Sequence, residues 1–353
     1  MEKVIDYLYR KNHRMISPIG ASPRQDIDFR CLGRIAMATS LGFEEYQATP
    51  LLKAVKPGSI QSRADLDRII AARSFDDTAF SGEVAALGAC FREDPNAYIG
   101  GGSFGPLTAA SDILGAGSLL RKIIKEPQMV KDLVSYITSF IADLAKREGE
   151  AGAKFYWIAE PVASLLPPQK FEAFCGRYLK EIFTASGVPG YLHVCGPTLK
   201  HTRYMAQTGA QVLSIDSVTD LSKCIRMVDE DVVIMGNIDV AMMQLETPEN
   251  VRRAVEKACA ETQNLKNFIL STGCCMMENT PEQNILAFIE AGESYPCRSN
   301  DALFHIRQMI RLCLSGRREE LESYAANNQI PGEWVQSALL EHQKFAAVQK
   351  EQL

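Results

Sequence analysis

The chain has 353 residues, 46% hydrophobic and 23% charged, with a formal net charge of −5 at pH 7. That balance is the one of an ordinary globule and excludes the basic footprint of a protein that binds nucleic acid or anionic lipid. No apolar run reaches the roughly 20 residues of a membrane span, and the polar start, Met1-Glu2-Lys3 to Arg10-Lys11, has no signal-peptide core, so a cytoplasmic location is expected.

In chain order, short apolar runs alternate with longer amphipathic stretches. Strands are expected at 15–19, 43–47, 97–99, 155–158, 191–194, 211–215, 232–235 and 268–270. A long helical insert, 48–95, separates the early strands. The stretch 119–148 carries Ile123, Met129, Leu133, Ile137, Ile141 and Leu144 at helical spacing and is interrupted at Pro127. Thr247-Pro248 reads as an N-cap with proline at the first helical turn, opening a helix over 251–263, and Thr280-Pro281 repeats that device before 285–291.

Eight strands with intervening helices predict an α/β fold, a single (β/α)8 TIM barrel over 1–297. A doubly wound sheet would also alternate, but here chemistry-bearing residues follow several successive strands, as at the C-terminal mouth of a barrel. Residues 298–353 are charged and helical in pattern (306–314, 319–326, 335–348) and are expected to form a C-terminal helical extension. Ten cysteines in a chain of this length are expected to be reduced. Gly100-Gly101-Gly102-Ser103-Phe104-Gly105 formally matches a dinucleotide fingerprint, but Pro106 and the missing acidic strand end argue against one. Those glycines are expected to let the backbone approach a substrate.

Two separated groups carry the chemistry: His193-Val194-Cys195-Gly196 and Gly273-Cys274-Cys275. Residues two apart on a strand share a face, so His193 and Cys195 can reach one ion. A third ligand comes from past the strand at 268–270. Cys274 is preferred over Cys275, because Gly273 would ease a sharp turn there. Thiolates with one imidazole suit zinc, and three ligands leave a fourth position for a substrate. Glu160, Asp216 and Asp239, each at or after a strand end, are candidate catalytic groups: a fourth ligand, partners of the imidazole, or proton acceptors. The structural alternative is that they cap helices or satisfy loop amides. A zinc ion on two thiolates can hold a small thiol as a nucleophilic thiolate, which suits attack on a methyl group better than hydrolysis.

These residues, with Gly102-Ser103-Phe104-Gly105-Pro106-Leu107-Thr108, Glu160-Pro161, Ser164, Gly236-Asn237-Ile238-Asp239 and Thr280-Pro281-Glu282-Gln283-Asn284, resemble the uroporphyrinogen decarboxylase superfamily. Within it, the chain is similar to the zinc-dependent, corrinoid-linked methyltransferases. The resemblance implies a barrel in which His193, Cys195 and Cys274 bind zinc and a thiol such as coenzyme M is activated there. It further implies that the methyl group moves to or from a corrinoid on a separate protein. None of the five histidines lies in an Asp-x-His-x-x-Gly corrinoid motif, so the corrinoid is expected on a partner. Met15-Ile16-Ser17-Pro18-Ile19-Gly20 stands where porphyrinogen decarboxylases carry an arginine-rich segment. A metal-free decarboxylase or lyase acting on a carboxylated substrate is the alternative.

Overall fold

The structure is a computed structural model that describes residues 16–17, 34, 36–49, 52–56, 60–93, 99–229, 231–262, 267–277, 279–294 and 318–327. The chain divides into two compact units, Met1–Pro296 and Cys297–Leu353. In the first, the elements run β1 (Ile16–Ser17), α1 (Ala36–Ser40), β2 (Glu45–Thr49), β3 (Leu52–Val55), α2 (Arg63–Ala72), α3 (Thr78–Glu93) and β4 (Gly101–Phe104). They continue α4 (Pro106–Leu114), α5 (Ala116–Lys125), α6 (Pro127–Glu150), β5 (Tyr156–Ala159), α7 (Pro168–Phe171) and α8 (Arg177–Ser186). Then follow β6 (Gly190–Val194), α9 (Thr202–Ala206), β7 (Val212–Ile215), α10 (Leu221–Ile225), β8 (Val233–Ile238), α11 (Val240–Leu245), α12 (Pro248–Thr262), β9 (Phe268–Thr272) and α13 (Glu282–Ser294). Of the three helices expected in the second unit, 306–314 and 335–348 lie outside the described residues. The middle one is α14 (Arg318–Asn327).

Seven strands form one parallel sheet in the order β1-β9-β8-β7-β6-β5-β4. Strands in sequence order with β1 beside the last strand are the arrangement of a (β/α)8 barrel. The strand expected at 43–47 is not one of them. Its residues lie largely in β2, which pairs antiparallel with β3 in a separate two-stranded sheet. The reason is composition: Glu45 and Tyr46 are exposed, whereas a strand of a barrel sheet is covered on both faces and reads as a continuous apolar run. The insert at 48–95 is therefore part hairpin and part helix. The strand expected at 97–99 begins later, at Gly101, and residues 97 and 98 lie outside the described set.

Alternation sorts the strands β5 to β9 between two cores. Tyr156, Ile158, Leu192, Val194, Leu213, Ile215, Ile234, Phe268 and Leu270 join the large cluster that packs under the helices. Phe155, Trp157, Tyr191, Val212, Met235 and Ile269 form a second cluster on the opposite face. That second face is the interior of the sheet, and its later positions carry the polar side chains described below.

The helix signals hold in most cases. Pro127 opens α6 and separates it from α5, because proline lacks the N–H that a continued helix would need there. Thr247 accepts a hydrogen bond from the Asn250 amide at 3.3 Å and caps α12. Thr280 does not repeat this: its hydroxyl donates to the Met277 carbonyl at 2.8 Å and so closes the preceding turn. The seven described cysteines are free thiols, and no described helix is long and apolar enough to cross a membrane.

Leu192 is fully buried between β6 and the helices. Leu192→Ala should lower the unfolding free energy by about 2–5 kcal/mol, read from denaturant midpoints, because the cavity at a strand centre cannot collapse.

Candidate metal centre

The sheet register assembles the site. His193 lies opposite Ser214 on β7, and Asn237 opposite Ser271 on β9. Counting in twos, positions 193 and 195, 214 and 216, 235 and 237, and 271 and 273 continue the interior face. Past the strand ends they converge. The ligand atoms of His193, Cys195 and Cys274 all lie within 4.8 Å of one another, and they are the sole such group among the described residues.

The distances suit a tetrahedral ion. The Cys195 and Cys274 sulfurs are 3.8 Å apart. Two sulfurs each about 2.3 Å from a tetrahedral zinc would be about 3.8 Å apart. His193 Nε2 is 3.1 Å from Cys195 Sγ, while its Nδ1 meets Ser214 Oγ at 3.0 Å. With Nε2 given to a metal, Nδ1 carries the proton and donates to Ser214, which fixes both tautomer and ring. The Trp157 ring lies roughly parallel to the imidazole, with centroids 5.9 Å apart, on the floor of the site. The Cys195 and Cys274 sulfurs share a hydrogen bond. That bond, with others from Cys275 and His193, holds the Cys274 thiol far below the ordinary range. The same bond, together with burial, pushes the Cys195 thiol up. A group so ready to share anionic sulfur is a ready metal ligand.

Cys274 is thus one of the three clustered donors and Cys275 is exposed. The chain bends at Gly273 and Cys274, as expected, and the glycine has a second reason as well. A Cβ on Gly273 would lie 2.4 Å from the Ser217 backbone nitrogen, so the glycine permits close packing of two loops.

The three carboxylates take different places. Asp216 accepts from the Gly196 amide at 2.8 Å, one residue beyond Cys195, and so grips the ligand loop. Asp239 is exposed and caps α11, accepting from the Ala241 amide at 2.7 Å. Glu160 is fully buried at the N-terminus of α4. There it accepts from the amides of Leu107 (3.1 Å) and Thr108 (2.7 Å) and from the Thr108 hydroxyl. Neither Asp239 nor Glu160 belongs to the clustered donors. Three glycines of the run at 100–105 have a packing reason. Cβ atoms at Gly100, Gly101 and Gly105 would strike Phe155, Glu148 and Glu160. These positions admit the protein's own side chains. Ser214 escaped the sequence reading and Asn237 entered it only as part of a matching motif, although stepping back by two from Asp216 and forward by two from Met235 would have found both on the interior face.

Burial raises the Glu160 carboxyl to about 7 from 4.5, against the lowering effect of its hydrogen bonds. A raised carboxyl favours the folded state while protonated, so its contribution is present below about pH 4.5 and is lost as pH rises through about 7. Chemical denaturation across that window should show the wild type losing stability relative to Glu160→Gln as pH rises. Parallel curves would contradict this.

Residues 35–295 match the Uroporphyrinogen decarboxylase (URO-D) family model. Among curated relatives, a methylated-thiol–coenzyme M methyltransferase of Methanosarcina mazei is 26% identical over 58% of this chain and 55% of its own length. The methylcobamide:CoM methyltransferase MtbA of Methanosarcina acetivorans is 30% identical over 55% of this chain and 58% of its own. A uroporphyrinogen decarboxylase of Dichelobacter nodosus is 27% identical over 67% of each chain. The match thus spans little more than half the length of the two methyltransferases. A solved methyltransferase from Methanosarcina mazei shares the fold, with a TM-score of 0.61 at 21% identity over 74% of this chain and 77% of that one. With some three-quarters of its length inside the family match and the parallel sheet in barrel order, the chain belongs to the uroporphyrinogen decarboxylase family.

Proposed function

We propose that this protein is a zinc-dependent methyltransferase that moves a methyl group between a corrinoid carried on a separate protein and a small thiol. The observation that carries the reading is the donor set itself, two thiols and one imidazole within 4.8 Å at the ends of β6 and β9, with no fourth donor clustered among the described residues. His193, Cys195 and Cys274 would hold the ion. When bound, zinc supplies the positive charge that keeps a substrate thiol deprotonated near neutral pH, with two protein thiolates leaving the sulfur nucleophilic.

The chain's own residues then have definable tasks. Ser214 orients the imidazole, and Asp216 fixes the loop that carries Cys195. Trp157, Met235 and Ile269 form an apolar floor that excludes water from beneath the site. Glu160 stabilises α4 and the β4–α4 turn beside the mouth. Support also comes from what the relatives are called: two act on coenzyme M, one with a methylcobamide and one with methylated thiols.

Protein purified without chelator should contain close to one zinc per chain by elemental analysis. Cys195→Ala and Cys274→Ala should lose the metal and the transfer of methyl from methylcobalamin to a small thiol, while Cys275→Ala should keep the metal. Zinc-free wild type with undiminished transfer would sink the proposal. The decarboxylase relative makes metal-free decarboxylation the second reading. It predicts activity on a carboxylated substrate that survives both chelation and Cys274→Ala.

A further inference from the structure

The loop after β7 supplies no donor to the cluster, yet it touches both loops that do. Asp216 Oδ2 accepts from the Gly196 amide at 2.8 Å, and Thr219 Oγ1 donates to the Gly196 carbonyl at 3.0 Å. Both polar groups of the residue after Cys195 are therefore held. Gly196 itself has φ of +86°, a conformation that a glycine adopts without strain. On the other side, the Ser217 backbone fills the space where a Gly273 Cβ would stand, one residue before Cys274. This bridging loop is in turn shaped from β8. The Asn237 amide group spends both hydrogens on it, donating to the Asp216 carbonyl at 3.0 Å and the Thr219 carbonyl at 2.8 Å. Thr219 Oγ1 also accepts from the Thr198 amide at 3.0 Å, which ties the far end of the Cys195 loop to the same hydroxyl.

We propose that Asn237 and Thr219 are positioning residues for the metal centre: through the 216–219 loop they set the separation of Cys195 from Cys274 without touching the ion. The inference rests on the zinc reading above. Its physical basis is that ligands brought from two strand ends stay in place through the groups that hold their loops. Losing such outer groups commonly costs about 10–100-fold in metal affinity.

Cobalt(II) is a direct probe, since its visible d–d bands report ligand geometry whether or not the protein is active. Full-length protein stripped with chelator would be titrated with cobalt(II) alone, for wild type, Asn237→Ala, Thr219→Val and Thr219→Ser. The expected result is about 10–100-fold weaker binding with altered bands for Asn237→Ala and Thr219→Val. Thr219→Ser, which keeps the hydroxyl, should stay near wild type. Wild-type affinity and bands in folded Asn237→Ala and Thr219→Val would overturn the inference, even if their melting temperatures fall. Should circular dichroism show that Asn237→Ala does not fold, the shape-conserving Thr219→Val decides alone. A wild type that takes up no cobalt would overturn the zinc reading as well, which separates the two failures.

Discussion

The two-residue alternation of a parallel sheet buried on both faces is the constraint on which this structure depends. Each strand must give one face to the helices, so its alternate positions line the opposite, interior face. Register then decides which interior positions meet. The pairing of His193 with Ser214 supplies the imidazole's partner, and the pairing of Asn237 with Ser271 brings β8 beside the strand leading to Cys274. A slip of one residue in β6 would turn His193 and Cys195 together toward the helix side and leave Cys274 without either companion.

Apolar residues fill the interior below the donors. Phe155 stacks on Tyr191 with centroids 4.5 Å apart, and Trp157 lies beside His193 at 5.9 Å. Such a floor orders the ring and lowers the local dielectric, so hydrogen bonds to sulfur and imidazole act more strongly there than in water. Above it the strand ends become polar, and backbone groups that the sheet no longer pairs need new partners. Asp216, Thr219 and Asn237 meet that need with side chains. The same bonds that satisfy loop amides thereby hold the ligand loops.

Glu160 illustrates how position in the fold can change a residue's meaning. Its place after a strand end suggests an acid or a ligand. Its carboxyl also meets the open amides at the start of α4, which favour its charged form against the larger opposing effect of burial. Gly105 has no side chain because that carboxyl occupies the space. Asp239 likewise serves a helix end, that of α11.

The sequence by itself determined much of this protein. Apolar runs between amphipathic stretches located the sheet strands from β5 onward to within a few residues. Soft donors at two strand ends were legible because their chemistry is rare and their spacing matches strand geometry. The strand expected at 43–47 was misplaced because a short apolar start does not reveal whether both faces will be covered. What only the tertiary structure decided was which residues stand next to one another across strands: Ser214 behind His193, Asn237 beneath the 216–219 loop, and the Ser217 backbone against Gly273. Those neighbours are set by register and by the close approach of loops, and both depend on long-range pairing that no local pattern encodes.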